Sequence, residues 1–184
     1  MMQTKDLVKI AGKRILSTLV HHIMSLECGK CRLSGENRLE MINVTDRPEQ
    51  MIGGVYSLAI ARKIVMKNSG KCDVYVFKDE AGNSVGTISV MYRGGNEIEY
   101  KIRNIDAFIY DVRTDETYRG RGYAGMMIES VCRELSSKGI DKVYLAVSTN
   151  NESAIKAYKK SGFIVEKTSC FIRFLKINIP YREL

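Results

Sequence analysis

The sequence predicts a mixed α/β domain of the α+β type, and three observations carry the prediction. Short runs rich in β-branched and aromatic residues recur between turn signals. Two amphipathic helical stretches separate such runs in the second half, as in a mixed sheet covered by helices. The 184 residues are 45% hydrophobic, enough to bury a full core, and only two are proline.

Residues 5–26 place Leu7, Ile10, Ala11, Ile15, Leu19, Val20, Ile23 and Met24 at helical spacing, with Lys5, Lys9, Lys13 and Arg14 on a basic side. An amphipathic helix is expected there, within an N-terminal extension over 1–34 that precedes the main domain over 35–184. Packing or homodimerisation is favoured for it over a membrane surface. Residues 38–44 (RLEMINV) read as a short strand. Asp46 reads as a helix N-cap with Pro48 in the first turn, and the helix runs to Met66 with Gly53 and Gly54 as breaks.

CDVYVFK (72–78) and SVGTISVMY (84–92) flank the tight turn EAGN and make a hairpin. After the turn RGGN, EIEYKIR (97–103) and DAFIYDV (106–112) are strand-like. A helix follows from Ala124 to Ser137, with Ala124, Ile128, Val131, Cys132 and Leu135 as its apolar stripe and Gly139 as its end. KVYLAV (142–147) is a buried strand, and Asn151 caps a helix that stops at Gly162. FIVEK and CFIRFLKI close the chain as two strands.

Lys plus Arg outnumber Asp plus Glu by 29 to 21, a net charge of +8. That permits nucleic acid, an anionic surface or a small polyanion as partner. No run reaches the ~20 apolar residues of a membrane-spanning helix, and basic residues interrupt any signal-peptide core. The five cysteines, Cys28, Cys31, Cys72, Cys132 and Cys170, are odd in number and fit a reducing, cytoplasmic setting. Cys28 and Cys31 form a lone CxxC that lacks two ligands of a zinc site and the βαβ context of a redox motif; it reads as incidental. His21 and His22 match no metal spacing, and no metal is expected.

The densest signal is YRGRGYAG, residues 118–125, between a strand-like run and a helix. The first N–H groups of a helix lack internal partners, and the helix dipole adds positive potential there. Glycines let the backbone approach a phosphate closely. Arg119 and Arg121 add full charges, so the stretch reads as a phosphate or pyrophosphate cradle. Gly120, Gly122 and Gly125 also spell GxGxxG, but the next strand ends in STNN rather than in the acid that would hold a dinucleotide ribose. No GK[ST] follows, which excludes a Walker loop.

YRGRGYAG resembles the acyl-CoA loop of the GNAT acetyltransferase superfamily, [RQ]-x-x-G-x-[GA], through Arg119, Gly122 and Ala124. NNESAIKAYKKSGF (150–163) resembles the family's second motif through Asn151, Ala154, Tyr158, Gly162 and Phe163. The resemblance is strong over 106–165, rests on strand order over 38–105, and does not reach the first thirty or so residues. It implies a mixed central sheet of about seven strands flanked by helices. It also implies acetyl-CoA as acyl donor and direct transfer to a primary amine. By position, Arg119, Gly120, Arg121, Gly122, Tyr123, Ala124 and Gly125 would hold the pyrophosphate, and Asn151 would contribute to the cofactor site.

The pantetheine arm would run beside Val112, Arg113 and Thr114, where a backbone N–H would polarise the thioester carbonyl. Glu116 stands where the family usually has proline, which leaves this register open by a residue. Tyr158 matches the tyrosine near the CoA sulfur, where its hydroxyl would stabilise the leaving thiolate; its alternative role is core packing. Asp111 is the chosen base, ahead of Asp106, Glu97 and Glu99. The acceptor is expected to be a small molecule rather than a protein, and the positive charge argues against a polycation. Two rivals remain: a catalytically silent acyl-CoA-binding protein, and a basic nucleic-acid-binding domain. Nucleic acid is not the expected partner, because the glycines mark element boundaries rather than a disordered tract.

Overall fold

The computed structural model describes residues 16–31, 38–47, 72–92, 106–174 and 177–183. Among them one mixed sheet forms from β1 (Leu16–Glu27), β2 (Glu40–Asn43), β3 (Cys72–Lys78), β4 (Ser84–Met91), β5 (Asp106–Thr114), β6 (Lys142–Ser148), β7 (Ile164–Phe174) and β8 (Ile177–Glu183). Its order is β2-β3-β4-β5-β6-β1-β7-β8. Every neighbouring pair is antiparallel except β5 and β6. Among the described residues two α-helices accompany it, α1 (Tyr123–Ser137) and α2 (Glu152–Ser161).

Period-two alternation sets the two faces. In β3, Tyr75 and Phe77 turn to the α1 side, where they join Ile88, Ile109, Leu145 and the α1 residues Met127, Ile128, Val131 and Leu135. Val74 and Val76 turn the other way, with Ile23, Met91, Phe108 and Tyr144. Both faces are buried, so the central strands read as continuous apolar runs.

This explains the main correction. The helix expected over 5–26 is a strand from Leu16 onward, and residues 5–15 lie outside the described residues. Ile23, Met24, Ser25 and Leu26 are all buried. A run buried on both faces satisfies helical spacing and strand packing alike, so the spacing that suggested a helix could not separate the two. Pairing decides otherwise: β1 lies between β6 and β7, so residues assigned to an extension belong to the sheet.

The end of the chain also differs. FIVEK and the start of CFIRFLKI are one strand, β7, continuous through Thr168, Ser169 and Cys170, where no glycine or proline interrupts it. Pro180 falls in β8, at the end of the strand order, where a missing N–H is tolerated. The 72–78/84–91 hairpin, the strand at 40–43 and the 123–137 and 152–161 helices match expectation. Asn151 caps α2, accepting from the Ala154 N–H at 3.2 Å, and Gly139 and Gly162 end the helices with φ of 75° and 104°. The helix to Met66 (beyond residue 47), the RGGN turn and the 97–103 strand fall outside the described residues.

Candidate functional site

β5 and β6 pair for three residues only, Asp106–Phe108 against Lys142–Tyr144. Beyond that point β5 stays on β4 as far as Thr114, and β6 stays on β1 as far as Ser148. The two parallel strands therefore part into a notch at their C-terminal ends. Each leads toward a helix N-terminus, β5 to α1 and β6 to α2. Ligands of open α/β sheets bind at such a place.

The β5 wall is bent. Tyr110 faces Ser89 and Arg113 faces Thr87, so Asp111 and Val112 together oppose Ile88. This is a β-bulge, and Asp111 takes φ 52°, uncommon for a residue with a side chain. Gly86 is required beside it: a Cβ there would sit 2.2 Å from the Arg113 carbonyl oxygen and 2.9 Å from Met127 Sδ. Asp111 Oδ1 accepts from Arg113 Nε at 2.7 Å, so the chosen base has one oxygen engaged. Val112 packs against the α1-side core.

The loop after Thr114 is built by its own side chains. Asp115 accepts from the Thr117 N–H at 2.9 Å and its hydroxyl at 2.6 Å, setting a 3-10 turn over Glu116–Tyr118. Arg119 folds back, donating to the Thr114 carbonyl at 3.2 Å and to Glu116 at 3.1 Å. Glu116, where proline was expected, thus holds an arginine of the motif. Tyr118 donates to Asp79 at 2.6 Å and meets Tyr123 edge-on at 5.2 Å. Asp79 is held below the usual carboxylate range by the Tyr118 hydroxyl and by the Asn83 amide groups. The hairpin turn as a brace for the loop was not anticipated; no local signal links residues so far apart.

Gly120 and Gly122 adopt φ of 76° and 84°, and nothing lies within 4 Å of where a Cβ would stand on either. Their task is backbone shape rather than close packing. Loop backbone bonds end with the Arg119 N–H on the Glu116 carbonyl and resume with the Gly125 N–H on Gly122. The N–H groups of residues 120–124 between them make no backbone hydrogen bond among the described residues, and Gly122 has no side-chain cap. Arg121 is exposed and forms no ion pair among the described residues. Gly125 faces Ser161 of α2: a Cβ at residue 125 would stand in ordinary contact, 3.5 Å from the Ser161 Oγ.

Asn151 is committed to its cap, also accepting from Ser153 Oγ at 3.4 Å. Tyr158 lies in the same core cluster as Val147, with Val112 and Tyr123 packed against that cluster. Burial pushes its phenol above the ordinary value, so it is a hydrogen-bond donor rather than an anion. Both expected roles, packing and donation, are compatible with this position. β1 also brings His21 level with Ser148, on the β6 wall of the notch, a placement hidden while β1 read as a helix.

A cleft of about 400 Å³ borders the loop, lined by Arg38, Asp79, Tyr123 and Met126 among others. A larger one, about 600 Å³, is lined by Asn43, Arg47, Cys72, Asp73 and Tyr92. Its Cys72 faces Met91 and accepts from the Tyr110 hydroxyl of β5 at 3.6 Å. No helix among the described residues is long and apolar enough to cross a membrane.

A family model described as Acetyltransferase (GNAT) family matches residues 39–163. The chain is 39% identical over 62 residues to a mycothiol acetyltransferase of Corynebacterium aurimucosum, covering 34% of this chain and 20% of that protein. It is 41% identical over 58 residues to the uncharacterised N-acetyltransferase YycN of Bacillus subtilis, covering 32% and 37%. The matched part is therefore well under half the length of either relative. A solved GNAT-family protein of Novosphingobium aromaticivorans shares the fold with a TM-score of 0.56 at 18% identity, covering 85% of this chain and 64% of that one.

Proposed function

Because the chain belongs to the GNAT acetyltransferase family, whose model spans residues 39–163, we propose that it transfers an acetyl group from acetyl-CoA to a primary amine by direct attack. The observation that carries this reading is the parting of β5 and β6 at a bulge that leads into a glycine loop and a helix N-terminus. The fit to acetyl-CoA rests on the run of N–H groups at 120–124, with Arg121 beside it, as a pyrophosphate site. Arg119 acts mainly by holding the loop, through Thr114 and Glu116. The acyl arm follows the β5 edge at Val112, Arg113 and Thr114. An N–H at the bulge faces the thioester carbonyl, where it stabilises developing negative charge.

In the reaction the amine nitrogen bonds the acetyl carbon, the carbon–sulfur bond breaks, and the amine loses a proton. Tyr158 donates a hydrogen bond to the departing sulfur. Asp111 receives the amine proton, directly or through water, once its pairing with Arg113 loosens. His21, on the opposite wall, is the second candidate for that proton. A small, non-polycationic amine suits a chain of net charge +8.

The test is incubation with acetyl-CoA and a panel of amino sugars, amino acids, polyamines and peptide N-termini. Acetylated product is read by mass spectrometry, which identifies the acceptor directly. Amine-dependent product is expected. Acetyl-CoA binding without product from any amine would favour the silent acyl-CoA-binding reading, and absence of binding would sink both.

A further inference from the structure

The CxxC that the sequence left without a role gains a third cysteine in the fold. Cys28 and Cys31 bracket the 3-10 turn Cys28–Lys30, directly after β1. The turn is anchored by the Cys28 N–H on the Asp141 carbonyl at 2.8 Å. Cys132 sits on the face of α1 that packs there: Cys28 and Cys132 lie in one buried cluster, and Cys31 packs against it. All three thiols are unoxidised. Cys132 and Cys28 are buried at 0% and 5% exposure, whereas Cys31 is only half-buried. Of the three, Cys31 is the least buried and the one a reagent reaches first.

The turn has the geometry for a bond within the pair. The Cys31 N–H donates to the Cys28 carbonyl at 3.4 Å, closing a four-residue turn. Such a turn holds its end Cα atoms within ~7 Å, overlapping the ~4.4–6.8 Å span of disulfides. We propose that Cys28, Cys31 and Cys132 form a thiol–disulfide exchange site for a low-molecular-weight disulfide. The Cys31 thiolate attacks the small disulfide, forms a mixed disulfide and releases one small thiol. The Cys28 thiol then gives up its proton and attacks the Cys31 sulfur, releasing the second small thiol. Two protein thiols are oxidised to one disulfide, and one small disulfide is reduced to two thiols.

Cys132 is the positioning residue. Burial and its two sulfur neighbours keep it protonated, so it donates to whichever neighbour is thiolate. Cys132 lowers the Cys28 and Cys31 thiols, against the opposing effect of burial; at Cys31 the Glu129 carboxylate also raises the thiol and Arg133 only partly offsets it. Thiolate fraction and access govern exchange, and access favours Cys31 over the buried Cys28 as the entry point. Cys132 lies ten residues beyond Gly122, about 15 Å along α1. Oxidation is therefore expected to leave acetyl-CoA affinity unchanged.

The test treats the fully reduced protein with glutathione disulfide, then alkylates it and maps peptides by mass spectrometry. Wild type is expected to lose two alkylatable thiols and to yield a Cys28–Cys31 linked peptide. Cys28→Ser is expected to retain one glutathione on Cys31, because the second step is blocked. Cys31→Ser is expected to keep its thiols, since buried Cys28 is shielded. Cys132→Ser should slow the reaction at Cys31 several-fold, and thermal melts check that each variant is folded. Four outcomes would overturn the proposal: no reaction in wild type, glutathione persisting on wild-type Cys31, linkage to Cys72 or Cys170, or thiols protected by a co-purifying zinc ion.

Discussion

Gly122→Ala isolates what the glycine loop does. Gly122 has φ 84°, and a Cβ there meets nothing within 4 Å. The substitution therefore adds no clash; its cost is left-handed backbone strain, about 1–2 kcal/mol for a residue with a side chain. In the free protein the loop can relax away from that shape, but the bound ligand requires it back. The same 1–2 kcal/mol then weakens acetyl-CoA binding, raising Kd by about 5- to 30-fold. Gly139→Ala is the matched control: φ is 75°, nothing lies within 4 Å, and the residue follows the other end of α1. It should lower stability comparably and leave Kd alone. Calorimetric titration with acetyl-CoA and thermal melts read both effects. Unchanged Kd in the Gly122 variant, or equal shifts in the two, would refute the cradle.

Gly86→Ala drives a methyl into the Arg113 carbonyl oxygen beside the bulge; it should cost about 1–3 kcal/mol by denaturant unfolding and weaken acetyl-CoA binding as β5 shifts. Tyr158→Phe should leave the melting temperature and acetyl-CoA Kd nearly unchanged but lower turnover about 10²-fold; unchanged turnover would assign the tyrosine to packing. Asp73 is pulled up by burial, but bonds from Lys138, Tyr92 and Tyr75 outweigh this and hold it below the usual carboxylate range. Its stabilisation is complete above the unfolded carboxylate value near ~4 and is lost as pH falls through the lower folded value, so the gap in Tm between wild type and Asp73→Asn should close in acid. Thr87→Val removes a buried hydroxyl that has no partner and should raise stability by about 1 kcal/mol; a loss would reveal a bound partner for Thr87.

Local chemistry made much of this molecule readable in advance. The α1 and α2 boundaries follow from Asn151, Gly139 and Gly162, whose side chain or φ has one local purpose. The loop announced itself because glycines, arginines and a helix start coincide within eight residues. β1 escaped because LVHHIMSL is apolar on both sides, and only its pairing with β6 and β7 separates strand from helix. The bulge at Asp111, the Tyr118–Asp79 brace and the meeting of Cys28, Cys31 and Cys132 are products of tertiary packing. Residues so distant in sequence leave no periodic trace of such contacts. Arg119 shows a subtler limit: the motif named it for phosphate and gave no hint that its side chain also ties Thr114 and Glu116.

Hydrogen exchange at single-residue resolution, with and without acetyl-CoA, tests the central claim most directly. The account predicts new protection at the amides of residues 120–124 and at the Val112–Thr114 edge, with the β2–β3 end of the sheet unchanged. Protection confined to the Asp73 cleft, or none at the loop under saturating acetyl-CoA, would contradict it.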